Sequence, residues 1–151
     1  MRISAKADYA VRAATELAGA SDGPTKGDAI ARAQDIPLRF LENILGDMRQ
    51  AGLVRSQRGA EGGYWLAKEP KEISVADVIR AVEGPLAAIR GEPPEDVHFA
   101  GSAEPLGRLW IAVRANLRGV LENVSLADLA NGKLPARIDK LADDPEAWVT
   151  R

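Results

Sequence analysis

Between Thr25 and Ala67 the hydrophobic pattern switches from helical to extended around a cluster of glycines, and this switch restricts the fold more than any other feature. Thr25-Lys26-Gly27-Asp28 reads as a helix start. The Thr25 hydroxyl can accept from open backbone N–H groups, and Asp28 suits the positive end of the helix dipole. That helix runs to about Gln34. Asp35-Ile36-Pro37 is a turn, with Pro37 at a first helical position, where its missing N–H costs nothing. A second helix covers roughly 37–51, carries Leu38, Leu41, Ile44, Leu45 and Met48 on one face, and ends at Gly52. Leu53 to Gln57 is then extended, Arg58 to Gly63 is a glycine-rich turn, and Tyr64-Trp65-Leu66-Ala67 is a second short strand. Glycine tolerates positive φ, so the chain can reverse sharply there at little steric cost.

The flanks are helical. Ile3, Ala7, Ala10, Val11, Ala14, Leu17 and Ala18 form an apolar stripe of mostly small residues, against which a neighbour can pack closely. Ser21-Asp22-Gly23-Pro24 breaks it. Ser74-Val75-Ala76-Asp77 is another cap, opening a helix with Val75, Val78, Ile79 and Val82 inward and Gly84-Pro85 at its end. Residues 86–105 are rich in glycine, proline and acids (Glu92, Glu95, Asp96, Glu104) and read as a mobile acidic loop. The longest helical pattern follows over about 104–123, with Leu106, Leu109, Trp110, Val113, Leu117, Val120 and Leu121 on one stripe and Val124 continuing it. Ser125-Leu126-Ala127-Asp128 caps a short final helix ending at Asn131-Gly132. The tail beyond it is charged and expected to be loosely held, with Trp148 as its candidate anchor. No internal repeat is read. The expected organisation is a head over 1–84, a regulatory loop over 85–104, a long helix with a short following helix over 105–131, and a tail over 132–151.

Composition narrows the function. The 151 residues are 46% apolar and 28% charged, the balance of a globular protein. There is no cysteine, which excludes a disulfide scaffold, a thiolate metal site, a cysteine nucleophile and a thiolate-held cluster. A single histidine, His98, leaves no multi-histidine metal site within one chain. No nucleophile with a base at a known spacing is visible, so no catalytic residue is named and an enzyme is not expected. No apolar run approaches a bilayer span and no secretory leader is seen, so a cytoplasmic protein without a membrane partner is expected. Net charge is −2, yet residues 1–68 carry ten cations against eight anions and residues 69–151 carry ten against fourteen. The cations favour the front of the chain.

Helix, short helix, tight turn, second helix and glycine-tipped hairpin is the order of a winged helix-turn-helix. The fold class expected is mainly α with a small β-hairpin wing, plus a long C-terminal dimerisation helix. The 37–51 helix can enter a major groove by its N-terminal end, where Arg39, Glu42 and Asn43 face outward. Arg39 can meet guanine acceptors or a phosphate, Asn43 can read adenine, and Glu42 can accept from a cytosine amino group. The hairpin would lie over the backbone and minor groove, with Arg55 and Arg58 supplying cations and the N–H groups of the glycine tip meeting phosphates. The expected DNA-contacting set is Thr25, Lys26, Pro37, Leu38, Arg39, Glu42, Asn43, Arg49, Arg55, Arg58, Gly59, Gly62 and Gly63. The same fold also serves as a protein-docking module, Arg39 and Glu42 would suit a surface ion pair, and Tyr64 and Trp65 would suit hairpin packing.

Met1 to Ala13, Ile36 to Glu42 and above all Ala51 to Ala67 resemble the Rrf-two family of bacterial winged-helix transcription regulators, the IscR/NsrR/CymR-like proteins; Ile73 to Ile79 and Val124 to Ala130 fit as well. The resemblance runs in order over about residues 1–131. It implies a homodimer in which the long helix crosses its partner, and two copies would bury more of its stripe than one. Two-fold symmetry would present two heads to a pseudo-palindromic operator. Many relatives hold an iron–sulfur cluster through three cysteines in the loop before that helix. Here the loop has none, so a cluster-free variant without cofactor is expected, and Asp8 cannot hold a cluster without thiolates. The loop is the expected regulated element, with a small molecule or another protein as its effector; His98 within it reads as a solvated loop histidine, with a place in an effector pocket as the alternative. The function expected is a homodimeric DNA-binding regulator, a repressor; the alternative is a regulatory subunit acting mainly through protein–protein contact.

Overall fold

Ser4 adopts an extended conformation and its hydroxyl accepts from the Ala7 N–H, so helix α1 (Ala5–Gly19) begins after Ile3. Ile3, expected on the apolar stripe, therefore lies outside the helix and is 83% exposed. The inward face is Ala7, Ala10, Ala13, Ala14 and Leu17. Its lack of bulk lets two other helices lie directly across it. This computed structural model describes residues 1–20 and 22–151; Ser21, first residue of the predicted break, lies outside the described residues.

Helix α2 (Gly27–Gln34) is preceded by Lys26, which makes no side-chain cap. Thr25 is not the cap either, a correction with a clear cause. Its N–H donates to the Tyr64 carbonyl and its carbonyl accepts from the Tyr64 N–H, both at 2.8 Å, so its backbone is committed to the hairpin. Asp35 takes φ 50° and its N–H closes α2 on the Ala31 carbonyl. Pro37 then stands just ahead of helix α3 (Leu38–Gln50). Leu41, Ile44, Leu45 and Met48 are wholly buried, whereas Leu38, expected on the same face, is 42% exposed because it sits a turn ahead of them at the free end of the helix. Strands β1 (Val54–Gln57) and β2 (Gly63–Leu66) pair antiparallel, Val54 opposite Leu66, Arg55 opposite Trp65 and Gln57 opposite Gly63.

Helix α4 (Val75–Glu83) opens with a complete capping box, Ser74 accepting from the Asp77 N–H and Asp77 from the Ser74 N–H. The same device opens helix α6 (Leu126–Ala130) through Ser125 and Asp128. The two segments are copies of one pattern, Ile73-Ser74-Val75-Ala76-Asp77-Val78 and Val124-Ser125-Leu126-Ala127-Asp128-Leu129. The shared pattern is too short to be a repeat architecture.

Helix α5 (Leu106–Leu121) lies between them in sequence and buries none of its residues. The acidic segment before it is more built than an open loop. It contains single 3-10 turns at Pro94–Asp96 and Gly101–Ala103, buries Leu86 and Pro94, and ties Glu95 to Arg114 of α5 by an ion pair. The tail is corrected too. It folds into α7 (Ala136–Ala142), whose Ile138 packs with Val75 and Val124 in a small second core. Ile138 is the anchor, while Trp148 is 78% exposed and only returns its indole N–H to the Ala142 carbonyl.

The main core joins α1, α2, α3, the foot of the hairpin, α4 and Leu126 of α6. Among the described residues, no helix is long and apolar enough to cross a membrane.

Candidate nucleic-acid interface

The four core residues of α3 fix its rotation, and the rest of its surface follows. Arg39, Glu42 and Asn43 are all exposed at its N-terminal half, flanked by the exposed Leu38 and Phe40. Among the described residues, the side chains of Arg39, Glu42 and Asn43 make no hydrogen bond or ion pair. The ion pair that Arg39 and Glu42 would suit is not formed. All three therefore present their full donor and acceptor sets outward.

A brace that sequence reasoning missed holds the other flank of α3. The Phe40 ring meets the Tyr9 ring edge-on, with centroids 5.5 Å apart. The Arg12 guanidinium stands 4.8 Å from the Tyr9 ring centre, pairs with Asp8 at 2.9 Å and donates to the Gln34 carbonyl at 2.6 Å. Lys6 reaches Asp47 at 2.7 Å. One face of α1 thus holds both the end of α2 and the flank of α3. The only sequence signal was the i, i+4 spacing of Asp8 and Arg12; the aromatic contact spans too many residues to be read locally.

The hairpin is stitched to the same unit at three points. The Thr25–Tyr64 backbone pair is the first. The Lys26 ammonium donates to the Gly59 carbonyl at 2.6 Å, and an Arg49 N–H donates to the Ser56 hydroxyl at 3.1 Å. Lys26 and Arg49, expected to contact DNA, are thus engaged in holding the wing. Gly62 and Gly63 are buried rather than displayed. The Gly62 N–H already donates to the Gly59 carbonyl, so it is not free for a phosphate. A Cβ on Gly62 would lie 2.0 Å from the Gln57 carbonyl oxygen, and one on Gly63 2.6 Å from that of Thr25, so both glycines serve close backbone approach. Gly59, at φ 103°, turns the exposed tip. Arg55 and Arg58 are exposed and, among the described residues, make no side-chain hydrogen bond or ion pair. Tyr64 packs on the core, and Trp65 lies half-buried opposite Arg55. Three unpaired polar side chains on α3 and two unpaired arginines on the wing thus stand on one rigid unit.

The family model Rrf2, described as iron-dependent transcriptional regulator, matches residues 3–132. Rv1287 of Mycobacterium tuberculosis, provisionally named an HTH-type transcriptional regulator, is 50% identical over 148 residues, covering 97% of this chain and 92% of that one. The solved structure of CymR, the global cysteine regulator of B. subtilis, aligns with a TM-score of 0.73 at 37% identity over 88% of this chain and 98% of that one. IscR of T. potens aligns with a TM-score of 0.68 at 33% identity, covering 100% and 93%.

The iron in the family's description finds no matching donors. The chain has no cysteine and one histidine. Among the described residues, no group of three or more His, Cys, Asp or Glu is placed to hold a metal ion. The exposed His98 and the acids of the 86–105 segment form no such set, and Glu95 is engaged with Arg114. The match over residues 3–132 and a winged helix-turn-helix built on α2, α3 and the hairpin lead to one conclusion: the chain belongs to the Rrf2 family of DNA-binding transcriptional regulators.

Proposed function

We propose that this regulator works as a homodimeric repressor on a pseudo-palindromic operator and does so without an iron–sulfur cluster. Arg39, Glu42 and Asn43 read base edges in the major groove, with the apolar Leu38 beside them for thymine methyl groups. Arg55 and Arg58 hold the backbone and the minor groove. Thr25, Pro37 and Gly59 line the approach, while Lys26, Arg49, Gly62 and Gly63 set the wing at the distance from α3 that one duplex requires. The stripe on α5 pairs with its copy, so that two heads share one face of the DNA. A protein or small molecule acting on residues 86–105 regulates binding.

The observation that carries this reading is the unpaired set on α3 beside the unpaired arginines of the wing. Support for the dimer comes from α5, which buries no residue and leaves Leu109 at 51% and Ile111 at 38% exposure. A mobility-shift titration over host genomic fragments tests the proposal. Arg58→Ala is expected to weaken binding across sequences and to lower the salt slope by about one unit. Unchanged affinity and slope in Arg58→Ala, together with unchanged sequence preference in Arg39→Ala, would overturn it.

A further inference from the structure

The paired capping boxes form a joint. Ser74 and Ser125 lie opposite each other in an antiparallel bridge. The Val75 N–H donates to the Val124 carbonyl and the Leu126 N–H to the Ile73 carbonyl, each at 2.9 Å. The two copies of the pattern thus clasp through reciprocal backbone bonds, each holding the other at the residue where its own helix starts. Ile73, Val78 and Leu126 seal the clasp from the main core, and Val75 and Val124 from the second, where Ile138 of α7 joins them. On the open side Arg80 of α4 pairs with Glu122, the residue that ends α5, and with Asp77 at 3.7 Å. Arg118 of α5 reaches the same Glu122 at 3.8 Å.

The position of this joint matters. α4 packs on α1 and α3, and so belongs to the unit that carries the reading helix. The second strand of the clasp leaves α5 two residues after its end cap. Whatever orients α5 therefore orients the head through this joint, which resists twisting because it holds two crossed backbone bonds, four reciprocal cap bonds and a lateral ion pair.

We infer that the clasp between Ile73–Val75 and Val124–Leu126, locked by Arg80 and Glu122, is the positioning element that sets the separation of the two heads, and so the half-site spacing this regulator accepts. The inference rests on the dimer proposed above. The clasp touches no DNA. It acts by keeping two heads, each weak alone, at the separation where one duplex engages both, which sets the effective concentration of the second head for its half-site.

The test uses the full-length protein and a duplex selected by the wild type from random sequence, with its half-site separation then varied one base pair at a time. Two variants loosen the joint from different sides: Asp128→Ala removes one cap acceptor, and Arg80→Gln removes the lateral lock while leaving both capping boxes intact. Both are expected to stay dimeric by sedimentation and to bind an isolated half-site as the wild type does. On the full site they are expected to bind roughly tenfold more weakly and to accept a broader range of separations. A uniform loss at every separation, with unchanged preference, would assign the clasp to stability alone and overturn the inference. So would an unchanged profile in Arg80→Gln, the variant that leaves the folded caps in place. A wild type that is monomeric, or indifferent to separation, would instead sink the dimer reading on which the inference stands.

Discussion

Gly63 sits where β2, β1 and the segment ahead of α2 come closest. Its φ of 147° and the 2.6 Å separation between a built Cβ and the Thr25 carbonyl oxygen leave no room for a side chain. Gly63→Ala is expected to cost about 1–3 kcal/mol and to lower the melting temperature by roughly 2–4 °C per kcal/mol, read by calorimetry. Gly46, half-buried on α3, accepts a Cβ with nothing within 4 Å, so Gly46→Ala is the control and should hold or raise the melting temperature. Ile44 is wholly buried beneath the face of α3 proposed to read bases, and Ile44→Ala is expected to cost about 2–5 kcal/mol, in line with other core truncations, by denaturant unfolding. These residues also mark what a sequence can tell. Leu41, Ile44, Leu45 and Met48 were legible because local period alone decides which face a helix buries. Leu38 was misread because period does not say where along the helix its neighbours end. Thr25 was misread because its true partner, Tyr64, lies a whole helix-turn-helix away.

At the scale of elements, order and type were legible and joints were not. The switch from helical to extended period located α2, α3 and the hairpin, and the Ser-x-x-Asp patterns located the starts of α4 and α6. That these two caps face and hold each other depends on pairing across the chain, which no local window contains. The acidic segment before α5 was read as open from its prolines and charges, yet Pro94 is buried and Glu95 is held. The carboxyl of Glu95 lies below its ordinary value of 4.5, first because of the hydrogen bond to its own backbone and then because of the Arg114 side chain. A lowered carboxyl contributes its share of docking above the ordinary value and loses it as pH falls through the lowered one. Amide exchange over residues 92–99 is therefore expected to accelerate relative to the rest of the protein as the solution is acidified below about pH 4.5, and this extra acceleration should vanish in Glu95→Gln. An acid response that persists in Glu95→Gln would show that this carboxylate does not carry the docking.

For the whole molecule, the dimer proposed above makes one head and one exposed rod half of a two-fold object. The rod's apolar stripe was visible in sequence, since Leu109, Trp110, Val113 and Leu117 recur at helical spacing. Its openness was not, because only the folded chain shows that α5 buries no residue fully and leaves Leu109 and Ile111 exposed. Leu117→Asp is expected to leave a monomer in sedimentation, binding a full site only as well as a half-site; a persistent dimer would place the interface elsewhere. The proposed reading of bases by the exposed end of α3 is probed by titrating wild type and Arg39→Ala against the selected duplex and every single-base variant of it. Arg39→Ala is expected to lose about 1–3 kcal/mol of discrimination at one symmetric pair of positions and to keep it elsewhere. A profile that weakens evenly at all positions, or does not change, would contradict it.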